Sequence, residues 1–210
     1  VDESCTPLAE KAAFRKNPDA QAWLWKDHTS YAEAEEITSL ARLERPDYLS
    51  LCGGVYSSEW FWSKILHCHR VAPKVFHAAA SWVEQCDYIP ALLTGCNDVR
   101  QLRRSMCGAG HKAMFHPTNG LPAPEFLTKL HPDLADLRNR LFNEAYPADQ
   151  PAGALAPSWA KKLGLPAGTP VAVGAIDAHL GAVGAGIQPG TLVKILGTSS
   201  CDMMVAPKEG

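Results

Sequence analysis

The stretch Val171-Ala172-Val173-Gly174-Ala175-Ile176-Asp177-Ala178-His179-Leu180-Gly181, with Gly184 and Gly186 after it and then Leu192-Val193-Lys194-Ile195-Leu196-Gly197-Thr198-Ser199-Ser200, decides the fold. Val171 to Val173 is a short apolar run between Pro170 and Gly174 and reads as a buried strand. It delivers an acid, Asp177, at its C-terminal end. Ala178 to Gly186 is small and glycine-rich, so a helix or turn there can pack closely on its neighbours. Leu192 to Leu196 is a second strand that runs into a Gly-Thr-Ser-Ser turn, and Met203-Met204-Val205 leads out of it. An acid at a strand end can accept a proton, and a turn rich in N–H and hydroxyl donors can hold anionic oxygens. Together they suit phosphate chemistry.

The bulk numbers bound the rest. A chain of 210 residues, 46% hydrophobic and 20% charged, can bury one large core or two modest ones. A net charge of −2 gives no electrostatic case for nucleic acid or an anionic membrane. No apolar run approaches the roughly 18 residues of a membrane span. The start, Val-Asp-Glu-Ser-Cys, has neither an initiator Met nor a signal segment, and both ends read as cut ends of a longer chain. The seven cysteines are scattered without a C-x-x-C pair and read as reduced, buried thiols of a cytoplasmic protein. Cys68-His69 beside His67 has no companion cluster at ligand spacing, so no metal site is expected.

Upstream, Ala22-Trp23-Leu24-Trp25 reads as a short strand ending in the polar cluster Lys26-Asp27-His28-Thr29. This is either a core strand with a charged exit or the flat apolar wall of a site with polar hooks. Tyr31 to Leu43 is a helix capped by Thr29 or Ser30, with acids in its early turns. Ser57 or Ser58 caps a second helix whose buried stripe is Trp60, Phe61, Ile65 and Leu66. Pro73 to Ala80 is a third, and Cys86 to Thr94 ends on Gly95. Arg100, Arg103 and Arg104 read as a solvated face. Cys107-Gly108-Ala109-Gly110-His111-Lys112 presents a lysine from a glycine-rich turn, either a surface lysine or a donor to a substrate hydroxyl. Prolines then break residues 117 to 168 into short pieces, among them helices over Pro124 to Leu130, Asp133 to Leu141 and Trp159 to Leu163.

Read in order, Leu24-Trp25-Lys26-Asp27-His28-Thr29, Tyr56-Ser57-Ser58-Glu59-Trp60-Phe61-Trp62, Cys86 to Gly95, Ala109-Gly110-His111-Lys112, Ile176 to Gly186 and Leu196 to Asp202 resemble the FGGY family of carbohydrate kinases, and within it the members acting on L-ribulose. The resemblance implies an α/β chain, part of an actin-like, ribonuclease H-like kinase with several helices on a mixed sheet. Residues 1–187 would be the later part of the sugar-binding N-terminal domain, and 188–210 the first hairpin of the ATP-binding domain. It implies ATP-dependent phosphorylation of the C5 hydroxyl of L-ribulose in L-arabinose catabolism, with Mg²⁺. Asp177 would be the catalytic base and touch the sugar, Trp25 and Lys112 would bind the sugar, and Gly197, Thr198 and Ser199 the ATP phosphates. Its partners would be sugar and ATP, with a homodimer as a further expectation. Family members are more than twice as long, and the N-terminal Asp-x-Gly-x-x-Ser hairpin has no counterpart here, so the chain alone is expected to be inactive. Other readings are a kinase for a different pentulose or sugar alcohol, a sugar-binding piece without chemistry, and a hydrolase using Asp177 with His179. The last is disfavoured because residues two apart on a helix do not face each other.

Overall fold

The computed structural model describes residues 1–197 and 199–206. They group into two units, residues 1–174 and a smaller one from Ala175 onward.

The first unit is built around one helix. Helix α1, Tyr31–Glu44, starts after Ser30, with Glu33 in its first turn and Arg42 in its last, both favourable to the helix dipole. Ser30 does not cap it through its side chain; its hydroxyl donates to the Ser58 carbonyl at 2.6 Å and ties down the loop before α2. Helix α2, Phe61–Val71, has Trp60 rather than Ser57 or Ser58 at its N-cap position. Burial on α2 exceeds the expected stripe: Phe61, Trp62, Ser63, Lys64, Ile65, Leu66 and Cys68 are all buried. Helix α3, Pro73–Ala78, begins on proline, whose missing N–H costs nothing at that position. Helix α4, Gln85–Thr94, stops at Gly95 with φ 73°, the left-handed cap that glycine tolerates. Helix α5, Met106–Lys112, forms where a glycine-rich turn was expected. Helices α6, Pro124–Leu130, and α7, Pro132–Arg138, send Leu127, Leu134 and Leu137 into the same core as Ile37, Trp62, Ile65, Leu66 and Phe76. Burial of each such leucine or isoleucine contributes about 1.5–3 kcal/mol.

Strand β1, Pro151–Ala154, helix α8, Pro157–Leu163, and strand β2, Pro170–Ala172, close the first unit. β1 and β2 pair antiparallel. The fold class is mixed α/β as expected, but the strands among the described residues form two separate two-stranded antiparallel sheets, not one mixed sheet. Ala22 to Trp25 is not a strand; its Trp23 indole N–H donates to the Asp19 carbonyl at 3.0 Å and holds the segment as an irregular loop. Of the apolar run after Pro170, only Val173 is fully buried, donating its N–H to the Gln150 carbonyl at 2.9 Å.

In the second unit, helix α9, Asp177–Gly184, precedes a hairpin of β3, Leu192–Leu196, and β4, Ser200–Met204. The small residues have the expected use. A Cβ at Gly181 would lie 3.2 Å from the Ile195 side chain, so α9 rests closely on β3. Lys194 and Asp202 face each other in the hairpin register and pair at 3.0 Å. Leu180, Val183, Leu192, Leu196 and Met204 remain exposed on this unit. Among the described residues no helix is long and apolar enough to cross a membrane.

Gly174 is the tightest glycine in the first unit. A Cβ there would stand 2.0 Å from the Cys86 carbonyl oxygen, a backbone atom that cannot swing away. Gly174→Ala is therefore expected to destabilise the fold by about 3 kcal/mol or more in chemical denaturation. Gly164→Ala, at φ 68° with open space around it, is expected to cost only about 1 kcal/mol.

Candidate active site

The loop that carries Trp25 is built from polar contacts. Asp27 accepts from the Thr29 N–H at 2.8 Å and the Thr29 hydroxyl at 2.6 Å, and the ammonium of the buried Lys64 sits 3.2 Å from its carboxylate. The Thr29 hydroxyl first, and Lys64 after it, hold the Asp27 carboxyl down at about 2 against burial. Lys64 also donates to the Asp27 carbonyl. His28 Nδ1 lies 3.1 Å from the Ser58 hydroxyl, joining this loop to the Tyr56–Trp62 motif. Trp25 itself is 49% exposed, a flat ring offered to solvent from a fixed loop.

Lys112 is presented by α5, and both ends of that helix are fastened. At the start, the Ser105 hydroxyl accepts from the Gly108 N–H at 3.2 Å, and Asp87 accepts from the Ser105 N–H at 2.7 Å. At the end, the Tyr56 hydroxyl donates to the Lys112 carbonyl and accepts from the Trp62 N–H at 2.9 Å. The Trp62 indole N–H donates to the Ala113 carbonyl at 2.9 Å. Burial pushes the Tyr56 phenol well above its ordinary range, so it stays a neutral donor. Gly108 lets α5 approach α4, since a Cβ there would lie 3.2 Å from the Cys86 sulfur. The Lys112 ammonium then meets the Glu84 carboxylate at 3.0 Å, both side chains being partly exposed. An ammonium has three donors, so this pairing orients Lys112 and leaves protons for a ligand hydroxyl.

Several of these residues are not evident from their sequence positions. Arg104 was expected on a solvated face, yet it is 2% exposed. It donates to the Trp82 carbonyl at 2.8 Å and the Ser81 hydroxyl at 3.0 Å, and lies 3.7 Å from the Asp87 carboxylate. Its two neighbours differ: Arg100 pairs with Asp98 at the surface, and Arg103 packs over the Tyr146 ring. The polar and basic residues around Arg104 in the sequence give no signal of burial. Glu84, Tyr56 and Trp62 likewise enter the site only through contacts distant in sequence. For Tyr56 and Trp62 the one available signal is that they flank an aromatic-rich motif.

Asp177 occupies the first position of α9, beyond the end of β2 rather than at a strand terminus. Its exposed carboxylate accepts from the Ala178 N–H at 2.8 Å. Of the expected phosphate turn, Gly197 and Ser199 are described and exposed, and Thr198 lies outside the described residues. The Gly197 N–H donates to the Ser199 carbonyl at 2.9 Å, so it is spent inside the turn. The exposed Ser199 carries a hydroxyl donor on the same turn. Trp25 and Lys112 thus belong to the first unit, and Asp177, Gly197 and Ser199 to the second.

The two fastenings of α5 have measurable consequences. Tyr56→Phe removes the hydroxyl from between two buried backbone groups and is expected to cost about 1–3 kcal/mol in urea unfolding. Asp87→Asn mimics the protonated acid and keeps an oxygen to accept the Ser105 N–H, so it is expected to change stability at neutral pH by no more than about 1.5 kcal/mol. Burial raises the Asp87 carboxyl to about 6. A raised carboxyl binds its proton more tightly in the folded state, so its stabilising contribution is complete below about pH 4 and is lost as pH rises through about 6. Unfolding free energies measured across that window should show this downward trend in the parent and its removal in Asp87→Asn.

The description "FGGY family of carbohydrate kinases, N-terminal domain" matches residues 14–184. A ribulokinase of Vibrio parahaemolyticus is 47% identical over the whole of this chain, which covers 37% of that protein. A ribulokinase of Shouchella clausii is 37% identical over the whole chain, again covering 37% of it. The chain therefore spans little more than a third of the length of these relatives. Among solved structures, a xylulose kinase from Rhodospirillum rubrum matches with a TM-score of 0.64 at 25% identity, covering 82% of this chain and 34% of that one. A gluconate kinase from Lactobacillus acidophilus matches with a TM-score of 0.66 at 19% identity, covering 85% of this chain and 34% of that one, and so shares the fold. With the family's N-terminal domain matched across most of its length, the chain belongs to the FGGY family of carbohydrate kinases.

Proposed function

We propose that this chain is part of an ATP-dependent kinase that phosphorylates the C5 hydroxyl of L-ribulose, with residues 1–187 in its sugar-binding domain and 188–210 opening its nucleotide-binding domain. The observation that carries the reading is the 47% identity to a ribulokinase along the whole chain. The alternative substrates are other pentuloses or sugar alcohols, since a structural relative at 25% identity is a xylulose kinase.

In this reading Trp25 stacks against the apolar face of the sugar, and Lys112, oriented by Glu84, donates to its hydroxyls. Asp177 accepts the proton of the hydroxyl that is phosphorylated. Phosphoryl transfer proceeds through a loose transition state, so placement of the acid matters more than a raised basicity. An exposed carboxylate at the first position of a helix is held in place by the backbone N–H it accepts. When bound, ATP supplies the phosphoryl group and Mg²⁺ neutralises its charge. Gly197, Thr198 and Ser199 are the phosphate-binding residues this chain contributes.

In the full-length enzyme, Asp177→Asn is expected to lower kcat by about 10²–10⁴ with sugar KM little changed. Lys112→Met is expected to raise sugar KM instead. Coupled measurement of ADP release against a panel of L-ribulose, D-ribulose, xylulose and ribitol checks both. A kcat for Asp177→Asn within about tenfold of the parent would remove the general-base assignment. A preference for xylulose would replace L-ribulose as substrate while leaving the kinase assignment intact.

A further inference from the structure

Three histidines and one carboxylate, from three helices, converge in the first unit, and none of them has a part in the reaction proposed above. His69 on α2 places Nε2 at 2.9 Å from the Asp133 carboxylate on α7. His131, the N-cap residue of α7, places Nδ1 at 3.8 Å from the same oxygen. His77 on α3 places Nε2 at 3.8 Å from it as well. One ligand atom from each of His69, His131 and Asp133 falls within 4.8 Å of the others. Ligand atoms on a tetrahedral ion at zinc–ligand distances of about 2.0–2.1 Å stand roughly 3.4 Å apart, between the 2.9 and 3.8 Å seen here.

We propose that His69, His131 and Asp133 form a binding site for a divalent transition-metal ion of the zinc class. The donor set selects the ion. Two imidazoles with one carboxylate suit zinc and its first-row neighbours, whereas Mg²⁺ demands an octahedron of oxygens and retains its water. The site is therefore chemically distinct from any Mg²⁺ that accompanies ATP. Its sequence spacing hides it: His69 and the pair His131 and Asp133 lie on separate helices.

The neighbourhood defines what binding requires. His69 and His131 lie with ring centroids 4.0 Å apart, closer than two imidazoles on one ion, so His131 rotates outward as the ion enters. That rotation releases the Asp133 N–H, which His131 Nδ1 accepts at 3.2 Å. His69 is packed edge-on against Phe76, which fixes its ring, and its buried Nδ1 has no hydrogen-bond partner. His69 thus lacks the outer hydrogen bond that sharpens structural zinc sites, and micromolar rather than nanomolar affinity is expected. Binding would link α2 and α7. The ion would stabilise the first unit without joining the chemistry of the sugar site.

The test is equilibrium dialysis of the chelator-treated intact protein against zinc chloride with metal analysis, and titration with cobalt chloride followed by visible absorption. The seven cysteines are competing ligands, and cobalt separates the two cases: nitrogen and oxygen ligands give ligand-field bands without sulfur-to-cobalt charge transfer. Expected are one equivalent of zinc, a cobalt spectrum without the sulfur band, and a thermal midpoint raised by zinc. His69→Gln and His131→Asn should each weaken binding by at least about tenfold. His131→Asn keeps a side-chain acceptor at the N-cap of α7, so it should fold like the parent even if His69→Gln does not. Sulfur-to-cobalt charge transfer, unchanged zinc affinity in His131→Asn, or no ion retained at about 0.1 mM free zinc would each overturn the site.

Discussion

A seven-residue helix cannot hold itself together in water, and the candidate sugar site of this chain depends on one. Helix α5 ends in Lys112, and everything that fixes Lys112 comes from elsewhere in the first unit. The Tyr56 hydroxyl sits between the Lys112 carbonyl and the Trp62 N–H, and the Trp62 indole holds the next carbonyl. At the other end Asp87 secures Ser105, the residue that caps the helix. Short helices in the interior of a domain are stabilised by such tertiary contacts rather than by propensity. The result is a lysine whose backbone is clamped at two carbonyls and whose ammonium is aimed by Glu84.

The same constraint explains the placing of buried charge. Arg104 and Asp87 are both nearly inaccessible, and their burial raises the proton affinity of the acid and lowers that of the base. A buried pair of this kind adds little stability relative to apolar residues of the same size. What it supplies here is position: Arg104 reaches the carbonyl of Trp82 and the hydroxyl of Ser81, while Asp87 reaches the start of α5. The segments before α4 and after it are thereby locked to the helix that carries Lys112. Gly174 completes the arrangement by letting the chain after β2 run against the Cys86 carbonyl with no side chain between.

The second unit uses a different economy. Half of the eight residues of its helix are alanine or glycine, and it can lie against the β3–β4 hairpin because Gly181 faces Ile195. Its large apolar residues are mostly exposed, and Val193 and Ala182 are the ones buried among those described. A unit of this size cannot bury much apolar surface by itself. The chain also spans only 37% of the length of its ribulokinase relatives.

The sequence by itself determined the class of the chain and most of its punctuation. Proline at the first positions of α3, α6, α7 and α8, and glycine at the ends of α4 and α8, mark helix ends because each residue imposes its own backbone angles. The motif order from Trp25 to Ser200 was equally legible, since it needs only residue identity, and it led to the family. The tertiary structure decided what depends on partners distant in sequence. Trp23 and Trp25 look like strand residues but lie in a loop, because the Trp23 indole and the Asp27 turn satisfy the backbone locally. Arg104 looks like a surface cation but is buried, because Asp87, Ser81 and Trp82 gather around it. His69 has no ligand spacing in the chain, yet it meets His131 and Asp133 once α2 and α7 pack. Local chemistry sets backbone angles, and the destination of a long polar side chain is set by packing between segments that the sequence lists far apart.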